Sequence, residues 1–260
     1  MLTSRLRAPN RPTRLALAAL LLSLLAACAA PQEQTVRQSL VDPVGLKQAD
    51  AWPPELAGLR AQALSLGQPP LTVDAAASSV RIHVFRAGRA ARLGHNHVLS
   101  VPKLHGLVLA PPDASGSLEG AAFELSFRLD ELELDAPAAR AALGPGWASQ
   151  LSAEAIAATR ANMLGPAGLQ AEAYPLVRLR SLEIRGAAPK LSVLLEIELH
   201  GQRRQQWLAL HAEPQAQRLQ ARGALVLRQS DFGLTPFSVA GGLLAVQDEL
   251  LIEFDLLAKP

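Results

Sequence analysis

The stretch LSVLLEIELHGQ, residues 191–202, carries the clearest structural signal in the chain. Apolar residues stand at every odd position from Leu191 to Leu199 and alternate with polar ones, Leu194 being the exception. A period of two places the apolar side chains on one face of an extended strand. His200-Gly201-Gln202 separates this run from a second one, and the stretch therefore predicts a β-hairpin.

The same alternation recurs from Leu71 to the end of the chain. Eight antiparallel strands are enough to close a barrel around one small ligand. Because aromatic residues make up only 4% of the sequence, we expect an aliphatic interior. The sequence therefore predicts a mainly all-β fold with about eight or more strands. They are expected at residues 80–85, 103–110, 123–130, 176–184, 191–199, 204–211, 218–229 and 250–257.

Two segments depart from this pattern. Ser152 to Leu164 predicts a helix inserted between strands, with Ser152 as its N-cap, Glu154 in its first turn and Gly165-Pro166 after its end. We expect it to cover an open end of the barrel. A shorter helix is predicted around Glu55–Leu66.

The N-terminus is typical of a bacterial lipoprotein precursor. Four arginines precede a run from Leu15 to Ala27 that is apolar except for Ser23. At 1.5 Å per residue this run is too short for a bilayer of about 30 Å, but it suits the apolar region of a secretory signal. Leu25-Ala26-Ala27-Cys28 resembles a lipobox, so Cys28 is the predicted lipidation site. The alternatives are an ordinary signal peptide with an incidental cysteine and an uncleaved anchor, which the length disfavours.

The predicted chain therefore consists of a signal peptide (1–27), a lipidated linker (28–70) and a barrel domain (71–260). The predicted location is the periplasmic face of the cell envelope. Ala29 is not the aspartate that often signals retention in the inner membrane, so the outer membrane is favoured.

Processing would change the charge and the redox chemistry of the protein. Residues 1–27 hold four of the 25 basic residues and none of the 23 acidic ones, which leaves 21 basic and 23 acidic residues, a net charge of −2. Nucleic acid is therefore not an expected partner. Cys28 is the only cysteine, so its acylation would exclude disulfides and thiolate sites.

Several local patterns follow one another over roughly 185 residues. They are Leu71-Thr72-Val73-Asp74 with Ser78-Ser79-Val80, Tyr174-Pro175 before an apolar strand, the hairpin Leu195–Leu210, Gln229-Ser230-Asp231-Phe232-Gly233-Leu234, and Val246-Gln247-Asp248-Glu249. Each pattern is weak alone, but in this order they resemble the YceI-like domain family of secreted lipid-binding proteins. One departure is Gln229, where the family pattern has arginine.

The resemblance implies a lipocalin-like barrel with an apolar tunnel that binds an isoprenoid or other amphiphilic lipid chain, without catalysis. A bound isoprenoid lipid or quinone is then the only cofactor-like group expected, and the membrane is a partner through the acylated N-terminus. The oligomeric state stays open, a dimer included. The predicted ligand-binding residues are Phe85, Phe123, Leu125, Phe127, Leu195, Ile197, Phe237, Ile252, Phe254, His95 and His97.

His95 and His97 resemble a Gly-His-x-His subgroup of the family. At positions i and i+2 of a strand both imidazoles would point to one face. Three hypotheses follow: a metal site completed by His83 or His105, a polar mouth that binds a lipid head group such as a quinone carbonyl, or hydrogen-bonded histidines at a barrel rim.

Other motifs do not support catalysis. Asp231-Phe232-Gly233 matches a kinase triplet, but the chain lacks the glycine-rich and catalytic loops of a kinase. We expect Asp231 and Gly233 to form a tight turn, with Phe232 and Phe237 packed inward. Gly241-Gly242 predicts a hairpin loop before the last strand. The functional hypotheses are a lipid-binding barrel, a histidine-dependent metal-binding envelope protein, and a structural or interaction lipoprotein with a solid core.

Overall fold

The computed structural model describes residues 56–110, 118, 120–215 and 217–260. The predicted signal peptide, Cys28 and most of the predicted linker lie outside these residues. The all-β prediction is confirmed. The strands are β1 Leu71–Val73, β2 Ser79–Ala87, β3 His97–Ser100, β4 His105–Leu109, β5 Ala122–Arg128, β6 Glu133–Leu134, β7 Leu176–Ala187, β8 Lys190–Leu199, β9 Gln202–Gln215, β10 Arg218–Arg228, β11 Ser238–Val239 and β12 Leu244–Lys259.

Eight strands form a closed antiparallel barrel in the order β1-β4-β5-β7-β8-β9-β10-β12. Pairing of Thr72 with Lys259, and of Val73 with Ala258, joins β1 to β12 and closes the ring. β2 pairs with β12 beyond this closure, and β3 and β6 extend the sheet from β2. These three strands, here called the flap, therefore extend the sheet beyond the eight-stranded ring.

Short 3₁₀ turns separate β1 from β2 and β5 from β6. In the first of them the Asp74 carboxylate accepts hydrogen bonds from the N–H groups of Ala76 and Ala77. The chain can thus leave the ring at Asp74 and rejoin the sheet in β2. The turn after β5 explains why the strand predicted at residues 123–130 ends at Arg128, whereas β2, β7, β8, β9 and β12 are longer than predicted.

The predicted hairpin at His200-Gly201-Gln202 is confirmed between β8 and β9. His200 and Gly201 have φ angles of 51° and 68°, the left-handed pair that a two-residue turn of type I′ requires. The ring of Tyr174 packs over this turn: a Cβ on Gly201 would lie 2.8 Å from Tyr174 Cε1. Glycine is therefore required here for both backbone angle and space.

Within the described residues, three α-helices lie outside the sheet: α1 Ala57–Ser65, α2 Pro137–Ala141 and α3 Ala153–Leu164. The predictions of α1 and α3 are confirmed, whereas α2 is too short to give a periodic signal. Ser152 caps α3 by accepting a hydrogen bond from the Ala155 N–H at 3.2 Å. No helix in the described part of the chain is long and apolar enough to cross a membrane.

The helix α1 packs on the outer face of β4. Leu59 and Ala63 are buried there against Leu107 and Leu109. Because Val108 faces the barrel interior, β4 is buried on both faces and is apolar at nearly every position. The residues of α1 fall inside the predicted linker, yet they form part of the packed structure around the barrel.

Ile156, Met163 and Leu164 of α3 pack against the main core cluster without lining the cavity described below. The guanidinium of Arg160 donates hydrogen bonds to the carbonyl oxygens of Leu132, at 2.6 Å, and Asp130. These contacts hold α3 against the 3₁₀ turn between β5 and β6, where the chain leaves the ring.

Candidate functional site

The barrel contains a cavity of about 150 Å³. Every side chain that lines it belongs to Ala, Val, Leu, Ile or Phe. A cavity of this kind offers water no hydrogen-bond partner and stays dry. The site can therefore accept an apolar group and has no lining side chain for acid–base or metal chemistry.

Seven of the nine predicted aliphatic and aromatic ligand-binding residues line this cavity. Whether they contact a ligand stays a prediction. They come from three strands: Phe123, Leu125 and Phe127 on β5, Leu195 and Ile197 on β8, and Ile252 and Phe254 on β12.

Cross-strand register explains why these strands present their apolar faces together. Leu125 pairs with Leu179, and Leu179 pairs with Ile197. Directly paired residues in an antiparallel sheet lie on the same face, so all three point inward. On β12 the same rule pairs Ile252 with Leu225 of β10.

Phe85 and Phe237 do not line the cavity. Phe85 lies on the other face of β2 from Ile82 and Val84, and its ring packs edge-on against Trp147 at 5.9 Å between centroids. Phe237 lies before the short edge strand β11 and is on the surface, so the expectation that it packs inward is wrong. Phe232, by contrast, is buried as expected.

The two predicted histidines do not line the cavity and belong to a polar cluster near the start of β3. His97 begins β3, and His95 precedes the strand, so the expected i, i+2 strand geometry is not formed. His97 Nδ1 lies 2.6 Å from Asp135 Oδ2. This contact fixes the ring and, in the neutral tautomer, leaves Nε2 as an acceptor.

Asp135 is the centre of this cluster and is 1% exposed. Its Oδ1 accepts hydrogen bonds from the Val98 N–H at 3.1 Å and from Arg140 Nη1 at 2.6 Å. Burial raises the pKa of Asp135. The hydrogen bonds from His97, Val98 and Arg140 together lower it by more than burial raises it, so the pKa lies below its usual range. The carboxylate is therefore a charged structural centre.

Ser149 links His95 to the same cluster. Its hydroxyl lies 3.1 Å from His95 Nδ1 and accepts a hydrogen bond from Arg140 Nη2 at 2.9 Å. Burial is the main cause that lowers the pKa of His95, and the nearby His97 and Arg140 lower it further. His95 is therefore uncharged at neutral pH.

The metal hypothesis lacks its third ligand among the described residues. There, no group of three His, Cys, Asp or Glu side chains is placed to hold a metal ion. His105 begins β4 and is exposed, whereas His83 is buried and lies 2.9 Å from Glu253. His83 occupies the opposite face of the β2–β3 pair from His97, because His97 pairs with Val84.

A second recess of about 400 Å³ lies on the outer face of β5, β7, β8 and β9. Its charges are paired across strands, with Arg180 Nη2 2.7 Å from Glu196 Oε1 and Arg178 Nη1 3.2 Å from Glu198 Oε1. Burial raises the pKa of Glu124 in this recess. Its charged lining suits polar groups and not an apolar chain.

Sequence reasoning missed Asp135, Arg140, Trp147 and Ser149. The segment that carries them has no periodic apolar pattern, and Asp135 lies 38 residues from His97 in the chain. One general rule could have pointed to this cluster. A charged side chain in a protein core needs a partner, so a buried aspartate is expected to lie near a histidine or an arginine.

The comparisons with known proteins concern the fold. No protein-family model matches the chain, and no curated protein matches it. The solved structure of BcnA from Burkholderia cenocepacia superposes with a TM-score of 0.51 at 17% identity, covering 72% of this chain and 99% of BcnA.

Two further solved structures are similar at lower scores. A polyisoprenoid-binding domain from Saccharophagus degradans has a TM-score of 0.46 and 14% identity over 73% of this chain and 97% of its own. A YceI protein from Campylobacter jejuni has a TM-score of 0.45 and 10% identity over 62% of this chain and 84% of its own. At 17% identity the likeness to BcnA concerns the fold alone, and it agrees with the β-barrel that the sequence predicts.

Proposed function

We propose that this chain is an envelope lipoprotein whose barrel binds an isoprenoid or other amphiphilic lipid chain, as a non-catalytic carrier or store. The single observation that carries the proposal is the cavity inside the barrel, lined only by aliphatic and phenylalanine side chains. The S. degradans neighbour, described as a polyisoprenoid-binding domain, supports this ligand class. A solid-core structural protein would have no such cavity.

Energetics favour occupation of the cavity by an apolar chain. An unfilled apolar cavity costs about 24 cal/mol per Å³, which for a volume of 150 Å³ is on the order of 3–4 kcal/mol. A lipid tail recovers this and also leaves water itself, at about 25 cal/mol per Å² of apolar surface. A polar head group would find no hydrogen-bond partner inside and would remain outside.

Protein purified from its native host should carry an apolar lipid in near-stoichiometric amount. Organic extraction followed by mass spectrometry measures the lipid and its amount per chain. Protein without lipid, which also fails to take up a fluorescent polyprenyl chain when this is added, would refute the proposal.

Two alanines on β10 provide a matched pair of variants. Ala221 lines the cavity, and Ala224, on the other face of the strand, is exposed. Ala221→Phe fills the space and should lower bound lipid at least about fivefold, at a stability cost of roughly 1–3 kcal/mol from overpacking. Ala224→Phe adds the same side chain outside and should leave lipid content unchanged.

The lipoprotein part of the proposal depends on the N-terminal sequence. A basic segment, a short apolar run and Leu25-Ala26-Ala27-Cys28 support processing at Cys28. Acylation would hold the barrel beside a membrane, which is a source of amphiphilic lipids.

A further inference from the structure

Two loops come together at the end of the β2–β12 pair and form one surface, here called the double loop. It consists of residues 88–94, between β2 and β3, and residues 237–243, before β12. Ala90 N–H donates a hydrogen bond to the Leu243 carbonyl at 2.9 Å, and Arg89 N–H donates one to the Gly242 carbonyl at 3.3 Å. The backbones of the two loops are thus directly joined.

The double loop concentrates exposed apolar side chains. Leu93 is 66% exposed, Phe237 46%, Val239 41% and Leu243 40%. Four large apolar residues on one pair of joined loops are unusual for a surface that faces only water. Neither the core nor the cavity accounts for them.

The charge of the double loop is of one sign. Arg89 and Arg92 are exposed, and within the described part of the chain neither forms an ion pair. Residues 88–94 and 237–243 contain no aspartate or glutamate. The loop is held in shape by Arg86, whose Nη1 donates a hydrogen bond to the Gly94 carbonyl at 2.9 Å.

We propose that the double loop docks on the surface of an anionic phospholipid bilayer, with its apolar side chains in the acyl boundary and Arg89 and Arg92 at the phosphates. Exposed apolar side chains flanked by cations are the composition that interfacial binding requires. A protein partner of ordinary surface composition would not explain why carboxylates are excluded from both loops. The inference concerns a surface outside the cavity and stands independently of the proposed lipid ligand.

The single cysteine makes a local test possible in the full-length chain. Cys28→Ser removes the only thiol, and Val239→Cys then places an environment-sensitive fluorophore on the double loop. With vesicles of phosphatidylglycerol and phosphatidylcholine in equal parts, we expect a blue shift and a severalfold rise in emission. The signal reports on the loop itself, even where the N-terminal segment also binds the vesicles.

Leu182→Cys is the matched control for the label. Leu182 is 41% exposed, as is Val239, but it lies on β7, four strands away from β12 around the ring. Its label should stay in a water-like environment on the same vesicles. An equal shift at both positions would overturn the proposal, because it would indicate non-specific adsorption.

Charge reversal tests the role of the arginines. Arg89→Glu with Arg92→Glu should raise the vesicle concentration for half-maximal response about tenfold or more, whereas Arg204→Glu with Arg218→Glu, exposed residues on β9 and β10, should not. Leu93→Ser, an exposed substitution, should weaken the response with both charges intact.

Two further results would overturn the proposal. One is a Val239 label that stays water-exposed on vesicles that bind the chain. The other is a label that is already in an apolar environment before vesicles are added, which would mean that another part of this chain or a second copy covers the double loop.

Discussion

At the scale of single residues, Asp135 is a buried charge that the surrounding structure must compensate. It is a fully buried carboxylate with a positive φ of 55°, and it accepts hydrogen bonds from two adjacent residues of β3 and from Arg140 of α2. Such a group is tolerated only when its charge and its oxygens are paired, since a lone buried charge is very costly. Here Arg140 supplies the countercharge and His97 and Val98 supply further donors.

Asp135→Asn should therefore lower the free energy of unfolding by about 3–5 kcal/mol, because it leaves the buried Arg140 guanidinium without its countercharge. Urea denaturation measures the change. Asp130→Asn is the control, since Asp130 pairs with Arg128 on the surface and its loss should cost only about 0–1 kcal/mol. Equal effects of the two variants would contradict this account.

The same carboxylate predicts a dependence of stability on pH. The pKa of Asp135 is lower in the folded protein than its unfolded value of about 3.9. A group of this kind stabilises the fold above its unfolded pKa, and this contribution is lost as pH falls through the folded pKa. The stability difference between the wild type and Asp135→Asn should thus be constant near neutrality and shrink below about pH 4. A difference that grows in acid would contradict the assignment.

Gly106 shows how a missing side chain shapes the interior. It pairs with Leu125 across β4 and β5, and a Cβ at this position would lie 2.5 Å from Leu125 Cδ2 and 2.6 Å from Val73 Cγ2. Glycine lets these two side chains close over the strand. The interior is therefore tightly packed beside the cavity.

Gly106→Ala should lower the free energy of unfolding by roughly 1–3 kcal/mol through overpacking. The control is Gly58→Ala in the helix α1, where nothing lies within 4 Å of the added Cβ and alanine favours the helix. Thermal unfolding of both variants provides the measurement. A Gly106→Ala protein as stable as the wild type would show that Leu125 and Val73 can move aside.

At the scale of elements, the helix α3 depends on its N-cap. The Ser152 hydroxyl satisfies one of the N–H groups left free at the start of the helix. Ser152→Ala should cost about 1 kcal/mol, and Ser152→Asp should restore most of it, because aspartate caps equally well. Denaturant midpoints that are the same for all three forms would mean that α3 is held by Arg160 and its apolar contacts alone.

The elements also show where sequence patterns succeed. β7, β8, β10 and β12 were predictable because each alternates over many residues with one face in the barrel. The flap strands β3 and β6 were harder, because two to four residues give no period. The helix α2 has the same limitation, and it carries Arg140 into the Asp135 cluster.

At the scale of the whole molecule, we propose that acylation of Cys28 holds the barrel at a membrane. Wild-type protein should incorporate a clickable palmitate analogue and sediment with membranes, and Cys28→Ser should do neither. Ser23→Ala, a change in the apolar run that leaves the cysteine in place, should label normally. Labelling of the Cys28→Ser protein would contradict lipidation at this residue.

The sequence by itself determined the class of the fold, the long strands with their aliphatic interior, the His200-Gly201 hairpin and the caps of α3. These are local properties, set by periodicity, turn chemistry and capping over a few neighbouring residues. The tertiary structure alone decided which strand face is interior, since one step of register exchanges the two faces. It placed Phe85 and Phe237 outside the cavity, and it brought His97 and Arg140 into contact with Asp135. Contacts between residues far apart in the chain depend on closure of the ring, and they leave no periodic pattern in the sequence.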